Sequence, residues 1–121
     1  MRGHGEYDLQ RACVLWFRTF YPNVRIHHSP NGGARSIVTA HNMKMLGTMA
    51  GFPDLFIIAP NKSFHGLFIE MKDGKKGRLS EKQVEFLTYL RSQGYAAEVV
   101  RDFEEFRTIV NDYFDNSNAT N

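Results

Sequence analysis

Two apolar runs that end in charge constrain this chain more than any other feature. The first, Asp54-Leu55-Phe56-Ile57-Ile58-Ala59, is closed by Pro60-Asn61; the second is Gly66-Leu67-Phe68-Ile69-Glu70-Met71-Lys72. Short runs of β-branched and aromatic residues between turn residues read as buried strands. Only a few turn residues separate the two, so a β-hairpin is the simplest link. In an antiparallel pair the start of one strand lies beside the end of the other. A turn centred near Lys62 therefore sets Asp54 opposite Glu70. Like charges across a sheet cost from a few tenths to about 1 kcal/mol, a penalty that a divalent cation between them would remove. Glu70 and Lys72 are two apart on a strand and so share a face.

That pattern points to a chemistry. Hard carboxylate oxygens suit Mg²⁺ or Mn²⁺ better than zinc. With Cys13 as the single cysteine and no clustered histidine spacing, a zinc cage is not expected. A metal at this place would hold a phosphate oxygen and a water, and would lower the pKa of that water. Lys72 would hydrogen-bond the attacking oxygen or neutralise charge on the pentavalent transition state. Two acids and a lysine around a metal are what hydrolysis of a phosphodiester requires.

Around the hairpin the pattern alternates between helix and strand. Glu6 to Tyr21 carries Leu9, Ala12, Cys13, Trp16, Phe17 and Phe20 at helical spacing, and Pro22-Asn23 ends it. Val24 to His28 alternates as a strand, Ser29 to Gly33 is a turn, and Ser36 to Met49 is expected to be helical. A helix opens at Ser80 and runs through Ser92, with Gly94 as its stop. Tyr95 to Val100 is a short strand, and Asp102, at capping-box spacing from Glu105, starts a last helix. The expected fold is α/β, a mixed central sheet of about four strands flanked by helices. A chain of 121 residues with a 42% apolar fraction makes one domain, assigned to residues 1–114, with 115–121 as a polar tail. No apolar signal segment and no run long enough to span a bilayer occur, so a soluble cytoplasmic protein with no membrane partner is expected. A net charge of +2 is compatible with nucleic acid without singling it out.

Pro53-Asp54, followed by Glu70-Met71-Lys72 at the end of an apolar strand, resembles the PD-(D/E)XK nuclease superfamily. With Glu6, Asn31-Gly32, Gly51-Phe52-Pro53-Asp54 and Gln83 after Ser80, the chain looks more narrowly like the VRR-NUC family, the virus-type replication-repair nucleases. The likeness runs from Glu6 to about Val100. It implies a restriction-endonuclease-like core in which Asp54, Glu70 and the backbone carbonyl of Met71 hold the metal. Lys72 would be the catalytic lysine, Glu6 an additional acid, and Gln83 a residue beside the site. Stand-alone members this short resemble phage and bacterial proteins that form dimers and cut branched DNA. The resemblance therefore implies a homodimeric Holliday-junction resolvase of DNA repair, in a bacterial cell or phage-infected host. Two other readings stay open: a flap or single-stranded DNA nuclease, and a non-catalytic nucleic-acid-binding module of the same fold.

Several residues carry two readings. Glu6 in a first helical turn also favours the helix macrodipole, and Gln83, three after Ser80, is equally a capping-box partner. His27 and His28 are either substrate contacts or ordinary strand histidines. Lys75, Lys76 and Arg78 form a basic loop that is either a solvated loop or a contact for backbone phosphates, as Arg35 and Asn31 in the earlier turn would be. Nothing resembles a base-reading helix or ribbon.

Overall fold

The two apolar runs pair as their charges require. In the computed structural model, which describes residues 5–30 and 37–118, β2 (Leu55–Ile58) and β3 (Leu67–Met71) are antiparallel, with Leu55 opposite Ile69 and Ile57 opposite Leu67. Continuing that register one step sets Asp54 against Glu70. Two further strands, β1 (Arg25–His28) and β4 (Ala96–Val100), complete a sheet of order β1-β2-β3-β4. β1 joins β2 antiparallel, whereas β4 joins β3 parallel. A parallel neighbour needs a crossover, and α3 (Glu81–Ser92) supplies it. The expected α/β class and mixed sheet are therefore what the chain forms.

Strand alternation sends side chains to two cores. On one face Leu55, Ile57, Leu67, Ile69 and Met71 pack with Cys13 and Phe17 of α1 (Gly5–Phe20) and with Phe106, Val110 and Tyr113 of α4 (Phe103–Asn118). On the other, Phe68 and Ala97 meet Leu87 and Leu90 of α3, with Phe52, Phe56 and Phe86 around them. α4 continues to Asn118, so the stretch assigned to a polar tail begins as helix. Among the described residues no helix is long and apolar enough to cross a membrane.

α2 (Ile37–Met45) is shorter than the Ser36 to Met49 helix expected from sequence. The reason is Gly47, whose φ of +107° breaks the helix. The Thr48 amide reaches the Met43 carbonyl at 3.0 Å and the Gly47 amide the Lys44 carbonyl at 3.0 Å, the two bonds of a Schellman ending. Gly47 is thus a stop signal, not a tolerated interior glycine.

Candidate active site

Each side chain of the site arrives at the same end of the sheet by a different local device. Asp54 enters from the turn Gly51-Phe52-Pro53. Gly51 has φ +84°, and a Cβ there would sit 2.9 Å from the Gln83 amide nitrogen and closer still to the Lys82 carbonyl. Only glycine lets this turn lie against the first turn of α3, and that contact brings Asp54 near Gln83. The Asp54 carbonyl accepts from the Ser29 amide at 2.9 Å, and its Oδ2 accepts from the Met71 amide at 2.7 Å. The strand ends are thereby tied through the carboxylate itself.

Glu70 is 3% exposed, the one buried charged residue among those described. Its Oε2 accepts from Gln83 Nε2 at 3.0 Å and pairs with Lys72 Nζ at 3.8 Å. Its Oε1 is buried with no hydrogen-bond partner. Burial, followed by the neighbouring Asp54 charge and a hydrogen bond to Asp54, pushes the Glu70 carboxyl up to about 8, with Lys72 opposing and Glu6 adding. The expected juxtaposition of Asp54 and Glu70 is present, and without a cation the pair is relieved by keeping a proton.

Gln83 carries both of its readings at once. Ser80 caps α3, its Oγ accepting from the Gln83 amide at 3.1 Å, while Gln83 Oε1 accepts from the Ser80 amide at 2.8 Å. That second bond fixes which end of the side-chain amide is oxygen, leaving Nε2 to donate to Glu70. Glu6 lies in the first turn of α1. Partial burial raises the affinity of its carboxyl for a proton, as do Asp54 and Asp73, against Lys72. It senses the site through charge, where Gln83 touches it. Met71 has a fully buried side chain, so only its backbone can serve the site.

The basic loop is held from behind. Arg101 Nη1 donates to the carbonyls of Gly74 at 2.9 Å and Gly77 at 2.5 Å, and Lys75, Lys76 and Arg78 are exposed around that clasp. Asn31 and Arg35 lie outside the described residues. His28 also meets Asp54, and Gln10, which the sequence reading did not single out, meets His28. His28 Nδ1 is 2.9 Å from the Asp54 carbonyl and 3.0 Å from Gln10 Nε2. Gln10 is one turn after Glu6, so a helix that brings one to the strand ends brings the other; that spacing was the available signal.

Among the described residues no group of three or more His, Cys, Asp or Glu side chains is close enough to hold a metal ion by itself. The donor set that exists is two carboxylates with backbone oxygens nearby. It fits a hard divalent cation on one observation above others: Glu70 Oε1 is a buried oxygen lacking any donor, beside a second carboxylate whose charge it would otherwise repel.

A family model, the VRR-NUC domain, matches residues 3–103. A solved VRR-NUC domain protein is 27% identical with a TM-score of 0.82, over 93% of this chain and 90% of that one. A second solved structure, a VRR-NUC domain, has a TM-score of 0.61 at 19% identity, over 90% of this chain and 97% of that one, and speaks for the fold alone. No curated protein matches the chain. With the family model spanning most of the sequence and the fold agreeing, the chain belongs to the VRR-NUC family.

Proposed function

We propose that this protein is a divalent-metal-dependent DNA endonuclease that acts as a homodimer on branched DNA, a Holliday-junction resolvase. The reading is carried by the Asp54–Glu70 pair, in which buried Glu70 has an unpartnered oxygen within a cluster that also holds Lys72. Asp54, Glu70 and the Met71 carbonyl would hold Mg²⁺ or Mn²⁺, with Glu6 near. When bound, such a cation polarises a phosphate oxygen and makes water a better nucleophile at neutral pH.

The chain's own residues do the rest. Gln83 holds Glu70 Oε2, and the partnerless Oε1 is the oxygen that would be left for a cation. The Met71 amide holds Asp54 through Oδ2, and the rest of that carboxylate would serve the cation. Lys72, tethered to Glu70 and 14% exposed, keeps a fixed positive charge where negative charge builds on the phosphoryl oxygens. Lys75, Lys76 and Arg78, together with the Arg35 and Asn31 expected from sequence, would contact backbone phosphates and give salt-sensitive, sequence-independent affinity. Resolution needs two coordinated cuts, and one site per chain then calls for a two-fold dimer.

The test incubates the protein with a labelled four-way junction and a matched linear duplex in Mg²⁺, Mn²⁺ or EDTA. Symmetric metal-dependent cuts in the junction, lost in Asp54→Ala and Lys72→Ala, are expected, together with a dimeric mass in solution. Cleavage of flaps or single strands alone would keep the nuclease and reject the resolvase. A folded protein that binds DNA and cuts none of these would leave a binding module.

A further inference from the structure

An open cavity of about 320 Å³ lies against the Asp54 side of the site, between β1 and α2. Its lining includes His27, Ser29, Met43, Thr48, Met49 and Phe52. Three of these are fixed to the site by backbone or ring contacts. The Ser29 amide bonds the Asp54 carbonyl. His27 is paired with Phe56 on the strand that Asp54 begins. Phe52, two residues before Asp54, meets Phe68 and Phe86 edge-on at centroid distances of 5.7 and 5.1 Å. The cavity is therefore the next space along from the carboxylates, walled on one side by the segment that delivers Asp54.

The chemistry of the walls selects the occupant. Among the described residues that line the cavity there is no Lys, Arg, Asp or Glu, so these walls bring no charged side chain to a phosphate. Two thioethers and a phenyl ring offer soft, polarisable surface suited to a flat aromatic group. His27, Ser29 and Thr48 offer hydrogen-bonding groups for the polar edge of such a group. The volume stands at the small end of the range for small-molecule sites, roughly 300–1,000 Å³, which admits one heterocycle and excludes a helix or a duplex.

We propose that this cavity receives a single nucleobase of the DNA strand whose phosphodiester lies at Asp54 and Glu70. The proposal rests on the nuclease reading for where the phosphate lies, and it adds that the enzyme acts where a base can leave its stack. Extrusion costs least at a branch, a mismatch or a single strand. Ring-face contact does not discriminate among bases, and hydroxyls can donate or accept, so the cavity would select DNA structure more than sequence.

The test uses junctions carrying 5-iodouracil at one position at a time near the branch, bound with Ca²⁺ in place of Mg²⁺ so that the complex stays uncut. Irradiation is expected to give one dominant adduct, mapped by mass spectrometry to Phe52, Met43 or Met49. An abasic residue at that same position should weaken binding several-fold, and abasic residues elsewhere should not. Thr48→Trp, which fills the cavity from the connection between α2 and β2, should lose the adduct while keeping the salt dependence of binding. Adducts confined to other segments, or an abasic scan with no sensitive position, would overturn the proposal. The readout needs binding alone: a protein that cross-links at Phe52 yet cuts nothing would sink the nuclease and keep the cavity. One that cuts junctions but cross-links elsewhere would do the reverse, and a protein that binds no DNA would overturn both.

Discussion

Two helices begin beside the carboxylate pair, and they approach it on different terms. α3 presents Gln83 through a closed set of bonds: Oε1 to the Ser80 amide, the Gln83 amide to Ser80 Oγ, and Nε2 to Glu70. α1 presents Glu6 with an altered proton affinity and an effect on that of Glu70. Both are first-turn residues, where free amides and the helix dipole favour polar side chains. The difference is one of order. A side chain locked by its own helix cap can orient a ligand before substrate arrives, whereas one coupled through charge can only bias how the site is ionised.

The largest effect should come from the group both helices act upon. Glu70→Gln keeps the shape and the bond from Gln83 but removes the charge. Cleavage should fall by more than the roughly 10–100-fold typical of residues that merely orient a ligand, measured under single-turnover conditions with saturating Mg²⁺. The same substitution has a second consequence in metal-free protein. Glu70 holds its proton up to about 8, against an ordinary value of 4.5. Between those values the folded state carries the proton and the unfolded chain does not, so stability is full below 4.5 and declines as pH rises through 8. Thermal melts in EDTA should therefore show Tm falling across that window. Glu70→Gln should flatten the slope, and a slope that survives it would assign the titration to another group.

Next in size is Gln83→Glu. Glutamate still completes a capping box, so α3 should keep its stability, but a second carboxylate now faces Glu70 Oε2. Activity should drop about 10–100-fold with little change in Tm. Ser80→Ala is the converse, costing about 1 kcal/mol of stability while Gln83 can still reach Glu70. If the two variants lost activity equally, the cap and the ligand contact would be one function, and the distinction between the helices would narrow.

The hairpin was legible because an apolar run, a turn and strand alternation together determine which residues face each other, and Asp54 met Glu70 on that arithmetic alone. Ser80 and Gln83 were legible as a cap for the same local reason. That Gln83 also holds Glu70 was not derivable from spacing, because it depends on where the β3–β4 crossover lands and on Gly51 lying against α3. Periodicity also overstated what is buried: Phe20 is 64% exposed, since a stripe marks a face but not how far the opposing element extends. At Asp102 the expected cap is met in altered form. Asp102 accepts from the Glu105 amide, but the Glu105 carboxylate accepts from the Arg101 amide, one residue earlier than a capping box would have it.

The smallest effect should come from Glu6→Gln, and it is the most discriminating. If Glu6 acts only through charge, removing that charge eases ionisation of Glu70, because Glu6 is among the groups that raise its proton affinity. The decline in metal-free stability, which still starts near the ordinary carboxylate value of 4.5, should therefore end at lower pH and be smaller in total. Cleavage at saturating Mg²⁺ should change by less than about 10-fold, below the range for a residue bonded to a ligand. The informative quantity is metal affinity, read by titrating Mg²⁺ or Mn²⁺ at fixed pH. An unchanged affinity with a shifted pH profile keeps α1 as an electrostatic neighbour. A loss of affinity matching that of Gln83→Glu would mean that α1 moves Glu6 onto the cation when metal or DNA binds. The two helices would then differ in when their residues are ordered, not in what they do.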